Sequence, residues 1–286
     1  MPLRTLTSTE ISVQVNTSGA EMVSLKNADG VENIWQAGAE WPRHSPLMFP
    51  VIGRTVDDTI LHNGREYPMT QHGFARDHEF EILEATVSTL TLQLRENPET
   101  LGMYPFPFQL TTTFRVDGPH VHVRHDVTNT GTTDMPASLG WHPAFNWPAH
   151  ERNAAILKFE CDEGPTVGRL DPVRVLLLRD VADSPVHNGT LVLHEDIFSR
   201  GALCFLNLNS RSVAFTSEGR PNLTLSFPEF QHLTVWKAPG SDMLCLEPWY
   251  GTPSPQDFRG ELVDKPHQFH LAPGSQRSFS YSVTLD

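Results

Sequence analysis

The amino-acid sequence predicts an all-β protein built mostly from antiparallel strands. Apolar and polar residues alternate in short runs along most of the chain, which is the period of a strand with one buried and one solvated face. Turn dipeptides separate these runs, and no long amphipathic helix is visible. Many short strands with frequent turns are typical of an antiparallel sandwich or barrel.

The individual elements can be placed in order along the chain. The clearest alternating runs are residues 89–95, 120–127, 222–227, 232–236 and 279–285. The turn signals are Asp29-Gly30, Asn63-Gly64, Asp117-Gly118 and Pro273-Gly274. The 23 prolines suit loops and sheet edges. The segment 163–185 is the least patterned, and we expect it to leave the sandwich.

The length and composition of the chain limit the kinds of protein that it can be. A chain of 286 residues is within the range of one large all-β unit, so we predict a single domain over residues 1–286. No apolar run is long enough for a membrane span or a signal peptide, which predicts a cytoplasmic protein. Cys161, Cys204 and Cys245 are few, odd in number and widely spaced, so we expect reduced structural thiols rather than disulfides or a zinc site.

The formal net charge of -13 limits the choice of partner. Nucleic acids and anionic membranes are bound through positive charge, so neither is an expected partner. A neutral small molecule is compatible with this charge, whereas a phosphorylated one would need a local cationic pocket. The oligomeric state stays open.

Three short stretches combine a titratable residue with glycine, proline or aromatic neighbours. They are 71–76 (Gln-His-Gly-Phe-Ala-Arg), 140–145 (Gly-Trp-His-Pro-Ala-Phe) and 244–249 (Leu-Cys-Leu-Glu-Pro-Trp). Each polar residue lies where a strand is expected to end, which is where binding residues tend to be displayed. A carboxylate and an imidazole can act as base and acid near neutral pH. Aromatic faces such as those of Trp141, Phe145 and Trp249 can pack against a sugar ring.

These stretches resemble the bacterial aldose 1-epimerase (galactose mutarotase) family. The resemblance includes 49–54 (Phe-Pro-Val-Ile-Gly-Arg), the following Asn63-Gly64, and the C-terminal 271–274 (Leu-Ala-Pro-Gly). The order and approximate separations match over residues 10–285. The resemblance implies a galactose-mutarotase-like β-supersandwich with an open sugar cleft. It also implies an isomerase of carbohydrate metabolism that interconverts the α and β anomers of a free aldose.

The resemblance assigns roles to individual residues. Glu247 is similar to the family's general base at the C1 hydroxyl, and His142 to its general acid at the ring oxygen. His72 is similar to a second histidine that binds the sugar and polarises the ring oxygen. Arg54 resembles the arginine that hydrogen-bonds sugar hydroxyls. No metal or cofactor is required by this scheme.

The remaining candidate residues have two interpretations each. Arg76 can bind substrate or pair with Asp77, and we favour a position beside the substrate. Trp141 and Trp249 can line the cleft or belong to the core. Taken singly, His72, His142 and Glu247 are also compatible with structural roles, and only their combination in the family's order favours catalysis. His120 and His122 share a strand face, but no third ligand is evident, so an exposed face is expected there instead of a metal site.

Two departures from the family pattern concern specificity. Gly201 stands where many relatives carry an aspartate, and the segment 252–254 ending in Ser254 stands where relatives often carry an acidic residue.

Three other functions are compatible with the sequence. They are a non-catalytic carbohydrate-binding or sugar-sensing protein, a hexose-6-phosphate 1-epimerase, and, most distantly, a metal-dependent hydrolase. The stretch 140–145 resembles the free-sugar branch more closely than the hexose-phosphate branch.

Overall fold

The computed structural model describes residues 3–148, 155–218 and 220–286, whose regular secondary structure is almost entirely β. The strands are β1 (Leu3–Thr7), β2 (Ile11–Asn16), β3 (Glu21–Asn27), β4 (Leu47–Met48), β5 (Thr59–His62), β6 (Arg65–Pro68), β7 (Glu81–Ala85), β8 (Thr89–Arg95), β9 (Phe108–Asp117), β10 (His120–Asn129), β11 (Met135–Ala137), β12 (Leu139–Trp141), β13 (Ala144–Asn146), β14 (Ile156–Phe159), β15 (Thr166–Leu170), β16 (Leu177–Asp183), β17 (Thr190–Val192), β18 (Leu203–Phe205), β19 (Ser212–Thr216), β20 (Leu223–Ser226), β21 (His232–Trp236), β22 (Met243–Tyr250), β23 (Phe269–Leu271) and β24 (Gln276–Leu285).

In the part of the chain that the structure describes, helical structure is confined to short segments between strands. The α-helix α1 (Pro98–Met103) begins at Asn97, whose side chain accepts from the backbone N–H of Thr100 in a capping box. Single 3₁₀ turns occupy Val56–Asp58, Ala75–Asp77, Glu195–Phe198 and Leu262–Asp264. Over the described ranges, none of the helices has the length and apolar character needed to cross a membrane.

Two large sheets form the body of the fold over the described residues. The first has nine strands in the order β17-β14-β19-β20-β24-β10-β9-β8-β7. The second has eight, in the order β16-β15-β18-β21-β22-β12-β4 with β13 also paired to β22. Three smaller sheets are β1-β2-β3, β5-β6 and β11-β23. The paired strands run antiparallel, as in β10 with β9 and β24, so the predicted all-β class is confirmed.

The core lies between the two large sheets. Trp141 of β12 stacks on Tyr281 of β24 with ring centroids 3.9 Å apart, and Phe159 of β14 meets Phe205 of β18 at 5.2 Å. On β10 the odd-numbered residues from Val121 to Asn129 are buried, whereas the even-numbered ones are exposed or half-buried. The period-two pattern of the sequence therefore corresponds to one face on the core and one on solvent.

The segment 163–185 differs from its prediction. It does not leave the sandwich, because β15 and β16 add two antiparallel strands to the edge of the eight-stranded sheet. A register shift interrupts their pairing between Gly168 and Leu170, and several residues of β16 are exposed. An edge strand of this kind buries too little apolar surface to show a clear alternation, which is why the sequence pattern was weak here.

Candidate active site

The centre of the eight-stranded sheet supplies one wall of a cleft. The strand β22 is buried along nearly its whole length, with Leu244 and Leu246 in the main core. Side chains alternate across a strand, so Cys245, Glu247 and Trp249 share the opposite face. The neighbouring strand β21 pairs in a register that sets Thr234 against Glu247 and Trp236 against Cys245. Directly opposed residues of an antiparallel pair lie on the same face, so all of these side chains are on the cleft side.

His142 reaches this face because a strand is interrupted beside β22. Gly140 of β12 pairs with Trp249, and Ala144 of β13 pairs with Cys245, in one continuous register. His142 and Pro143 lie between the two paired segments, and that register places His142 opposite Glu247. Proline has no N–H to give to a ladder, so Pro143 favours a break here. The freed backbone groups bond elsewhere, since His142 donates to the carbonyl of Pro46 at 3.0 Å.

The two titratable side chains meet at the bottom of the cleft. The Nε2 atom of His142 lies 3.4 Å from Oε2 of Glu247, and both side chains are almost fully buried. The indole N–H of Trp249 donates to the same carboxylate oxygen at 3.2 Å. This hydrogen bond fixes the carboxylate relative to the imidazole. A base and an acid thus stand side by side, within reach of one small group of ligand atoms.

Burial disfavours charge on both members of this pair. It holds the pKa of the Glu247 carboxyl well above its usual value, and the hydrogen bond from Trp249 opposes that shift. Burial also lowers the pKa of His142 to about 3, with a further contribution from the positive charge of Arg76. These directions are the ones expected for an acid and a base taken out of water. They favour a state in which the pair holds a single proton.

A tight loop after β6 carries His72. The backbone of His72 has a φ of 65°, and its N–H donates to the carbonyl of Gly53 at 2.7 Å. The N–H of Gly53 in turn donates to Nδ1 of His72 at 3.1 Å. Because Nδ1 accepts, the neutral ring carries its proton on Nε2. Burial, and then the neighbouring His142, hold the pKa of His72 well below its usual value, so the ring is neutral at pH 7.

The loop of His72 is possible only with glycine at position 73. Gly73 has a φ of 73°, and a Cβ added there would lie 2.1 Å from the carbonyl oxygen of Phe49. That oxygen accepts from the backbone N–H groups of Phe74 and Ala75. The His-Gly pair therefore lets the backbone pack directly against the segment before Gly53. The His72 ring then faces the His142 ring at 5.4 Å and nearly at a right angle.

Aromatic side chains enclose the imidazole of His142. Trp41 stacks on it with ring centroids 4.9 Å apart and an interplanar angle of 25°. Trp236 approaches edge-on at 5.8 Å. The indole N–H of Trp35 donates to the carbonyl of Trp41 at 2.9 Å and so helps to hold that segment. The imidazole is thereby fixed in its plane and shielded from water.

Cationic side chains also face the cleft. Arg76 is mostly buried and lies 3.6 Å from Asp77, which also accepts from Arg43 at 2.8 Å. Burial, together with Arg43, lowers the pKa of Arg76 to about 10. The ammonium group of Lys237 is buried, donates to the carbonyl of Ser241 and lies 3.4 Å from Glu195. Arg43, Arg76 and Lys237 all line the same cavity.

The cleft has a volume of about 640 Å³, which is within the usual range for a small-molecule site. Its lining contains five of the eight residues predicted from the sequence: Glu247, His142, His72, Arg76 and Trp249. It also contains residues that the sequence analysis missed, namely Trp41, Arg43, Thr234, Trp236 and Lys237. Thr234 and Trp236 could have been found, because they occupy the polar face of a run already predicted as a strand.

The other three predicted site residues lie elsewhere. Arg54 forms an ion pair with Asp58 at 2.9 Å instead of facing the cavity. Trp141 is in the core, where it stacks on Tyr281 and donates to the carbonyl of Ser45. Phe145 packs edge-on against Trp141, also in the core. For Trp141, the structure therefore matches the core interpretation that the sequence had left open.

The histidines on β10 lie outside the cleft. The His120 and His122 rings are 5.7 Å apart, on the side of β10 away from the core. Among the described residues, the one cluster of three side chains with metal-binding atoms close together is His142, Cys245 and Glu247. No third ligand joins His120 and His122 within the described ranges.

Comparisons with known proteins agree with this architecture. The family model described as aldose 1-epimerase matches residues 2–270. The protein LacX encoded on a plasmid of Lactococcus lactis subsp. lactis is 31% identical over 288 residues, with 96% of each chain covered. A galactose mutarotase related enzyme from Lactobacillus acidophilus superposes with a TM-score of 0.93 at 26% identity, over 100% of this chain and 97% of that one. A galactose mutarotase-like protein from Lactobacillus casei gives a TM-score of 0.93 at 28% identity, with 100% of both chains covered. The chain belongs to the aldose 1-epimerase family.

Proposed function

We propose that this protein is a mutarotase that interconverts the α and β anomers of a free aldose. The observation that carries the proposal is the contact between His142 Nε2 and Glu247 Oε2, at 3.4 Å, on the floor of the cleft. The family supports a sugar epimerase in general terms. The two structural relatives described above are named as related or similar to galactose mutarotase.

Ring opening needs a base and an acid close together. The C1 hydroxyl oxygen and the ring oxygen of an aldose are bonded to the same carbon. The protein group that deprotonates the first and the group that protonates the second must therefore also be neighbours. In the proposed step the Glu247 carboxylate removes the proton from the C1 hydroxyl, and His142 donates a proton to the ring oxygen. The C1–O5 bond breaks, and a carbonyl forms at C1.

The second half of the reaction restores the protein. The open-chain aldehyde rotates about the C1–C2 bond, which presents the other face of the carbonyl to the ring hydroxyl. Protonated Glu247 then returns its proton to the C1 oxygen, while neutral His142 accepts the proton of the attacking hydroxyl. No electrons are exchanged with another reactant, so the scheme requires no redox cofactor.

The buried pair suits this proton exchange. Carboxylate with imidazolium, and carboxylic acid with imidazole, hold the same number of protons. Ring opening converts the first state into the second, and ring closure does the reverse. Because burial disfavours charge on both groups, the neutral pair is the one stabilised in the unliganded site. Sugar hydroxyls that solvate the ionic pair would bring the two states closer in energy.

The surrounding residues would bind and orient the sugar. Nε2 of His72, which lies 3.1 Å from the side-chain nitrogen of Gln71, offers an N–H donor for the ring oxygen. Arg76 can bind hydroxyls, and Trp249 positions Glu247 through its indole N–H. For Arg54 to contact a hydroxyl, it would first have to leave Asp58. Trp141 and Phe145 would support the site from the core rather than touch the substrate. We further propose a cytoplasmic location and a small-molecule sugar as the partner.

Anomer exchange measured by NMR magnetisation transfer tests the proposal. The purified protein is incubated with glucose, galactose, xylose or arabinose, and the exchange rate is compared with that in buffer. We expect acceleration above the spontaneous rate for at least one of these aldoses. A folded protein that accelerates none of them would contradict the mutarotase assignment for this panel and would favour sugar binding without catalysis.

A hexose 6-phosphate is the second candidate substrate, because of the charge of the cleft. Its lining carries Arg43, Arg76 and Lys237 against the carboxylates of Asp171 and Glu247, although the chain as a whole is strongly acidic. The partners of these cations, Asp77 and Glu195, do not line the cleft. Such a lining can attract an anionic group. If glucose 6-phosphate is the substrate, its anomer exchange will be faster than that of glucose and will fall in Arg76→Gln. Equal or slower exchange of the phosphate ester would favour the free aldose.

A further inference from the structure

A thiol lies beside the proposed acid and base. Cys245 precedes Glu247 by two residues on β22, so both side chains project from the same face. His142 reaches that face from the interrupted neighbouring strand. The Sγ, Nε2 or Nδ1, and carboxylate oxygen atoms of Cys245, His142 and Glu247 all lie within 4.8 Å of one another. All three residues are buried, so water competes poorly for these atoms.

The arrangement is close to that of a three-ligand zinc site. Bond lengths of about 2.0 to 2.3 Å and tetrahedral angles place the ligand atoms of one zinc about 3.3 to 3.6 Å apart. The nitrogen and oxygen atoms of His142 and Glu247 already have a separation of 3.4 Å. The sulfur atom lies within 4.8 Å of the other two ligand atoms, so it would need to move by little more than about 1 Å.

We propose that His142, Cys245 and Glu247 form a binding site for a thiophilic divalent cation such as Zn²⁺, and that the cation competes with the substrate. A thiolate and a carboxylate would balance its double charge, and the imidazole would complete the set of ligands. Sulfur and nitrogen ligands select zinc over magnesium or calcium. His142 and Glu247 line the cleft, so water from that side would complete the tetrahedron.

The cation would inhibit the proposed reaction. Glu247 can no longer accept a proton, and His142 can no longer donate one, while their lone pairs are bound to the metal. The bound cation would therefore occupy the same nitrogen and oxygen atoms that the reaction with the sugar requires. Binding of the cation itself does not depend on the proposed mutarotase activity, so the two ideas can fail separately.

Metal binding without sugar provides the test. Zn²⁺ is titrated by calorimetry into the full-length wild type and Cys245→Ala, and Co²⁺ is used as a spectroscopic substitute. We expect saturable zinc binding by the wild type and a thiolate-to-cobalt charge-transfer absorption. In Cys245→Ala, we expect zinc affinity to fall at least about tenfold, the lower end of the loss caused by removing even an outer-shell partner. Cys245→Ser serves as a second variant if the alanine protein does not fold.

Matched controls separate this site from other thiols and histidines. Cys204→Ala removes another fully buried thiol, and His122→Gln removes the exposed member of the His120–His122 pair. Both control variants should bind zinc with the affinity of the wild type, because both retain Cys245. Absence of saturable zinc binding, or zinc affinity unchanged in Cys245→Ala, would overturn the proposal. If zinc binds as expected but no aldose is exchanged, the metal site stands and the mutarotase assignment fails.

Discussion

His142 and Glu247 lie opposite each other in one register of antiparallel pairing, although the strand that carries His142 is broken at that point. The pairs Gly140–Trp249 and Ala144–Cys245 flank the break and continue the same register. The central strand β22 is buried in the sheet, so Glu247 is held by backbone pairing as well as by Trp249. The relative position of acid and base is therefore set by the sheet, and strands hold a site more precisely than loops do.

The stack of Trp41 on His142 is expected to affect the rate of anomer exchange. Trp41→Leu should lower the rate about ten- to hundredfold, since a displacement of about 1 Å can reduce a catalytic rate by the larger factor. Trp41→Phe retains an aromatic face and should lose less. Exchange rates and thermal unfolding are measured together for both variants. An unchanged rate in Trp41→Leu would show that the stack does not position the imidazole.

Glycine is expected to be essential for stability at position 73. Gly73→Ala should lower the free energy of unfolding by about 3 kcal/mol or more, because left-handed backbone strain adds to the contact with the Phe49 carbonyl. Gly64→Ala is the matched control, since Gly64 has a similar φ of 72° with no atom within 4 Å of an added Cβ. That variant should cost about 1 to 2 kcal/mol. Urea unfolding measures both, and equal losses would contradict the steric explanation.

Buried His125 is expected to make the fold sensitive to acid. Burial lowers its pKa to about 3 from a usual 6.5, and its Nδ1 lies 2.9 Å from the hydroxyl of Thr112. Between these pH values the unfolded chain binds a proton that the folded protein does not. The free energy of unfolding therefore falls as pH decreases from 6.5 to 3, by about 1.4 kcal/mol per pH unit for this residue.

Replacing His125 should remove that contribution. His125→Gln keeps a hydrogen-bonding side chain near Thr112. Between pH 3 and 6.5, its unfolding free energy should change less steeply with pH than that of the wild type, by the amount that corresponds to one bound proton. His187→Gln, in an exposed turn, provides the control and should keep the wild-type slope. The prediction fails if His125→Gln and the wild type lose stability in parallel.

Buried Lys265 is expected to destabilise the protein at neutral and lower pH. Its ammonium group donates to the carbonyl of Thr252 at 2.6 Å, and burial lowers its pKa to about 7 from 10.5. Below pH 7 both the folded and unfolded states are charged, so the full cost of burying the charge is present. From pH 7 to 10.5 the unfolded chain alone keeps the proton, so stability rises with pH.

A neutral side chain at position 265 should relieve this cost. Lys265→Met should raise the free energy of unfolding by about 1 to 3 kcal/mol below pH 7, after allowance for the lost hydrogen bond. The gain should decrease between pH 7 and 10.5. Urea titrations at several pH values test this. A gain that does not vary with pH would indicate improved packing rather than removal of a buried charge.

The fold could be predicted largely because its physical signal is local. Alternation along β8, β10, β21 and β24 is visible in the sequence, since each of these strands has one face on the core. The strands β15 and β16, at one end of the eight-stranded sheet, showed no such alternation. The finer architecture came from the resemblance to a family, because the order of strands in a sheet depends on long-range pairing that no local pattern records.

The site was predictable only in part. Glu247, His142 and His72 stood beside glycine, proline and aromatic residues, but their spacing gave no indication that they meet. Trp41 was missed because its contact with His142 is formed by a loop distant in sequence. Trp141 belongs to the core, where it stacks on Tyr281. Its position next to His142 in the sequence does not reveal that contact.

The Glu247→Gln variant tests the central claim most directly. Sugar binding is followed by saturation-transfer NMR and anomer exchange by magnetisation transfer, for an aldose that the wild type exchanges, with the exposed Glu229→Gln as control. We predict that Glu247→Gln still binds the sugar but loses about 10²- to 10⁴-fold in exchange rate, the usual contribution of a general base. Exchange by Glu247→Gln at the wild-type rate would contradict the account, because the carboxylate would then not be the base.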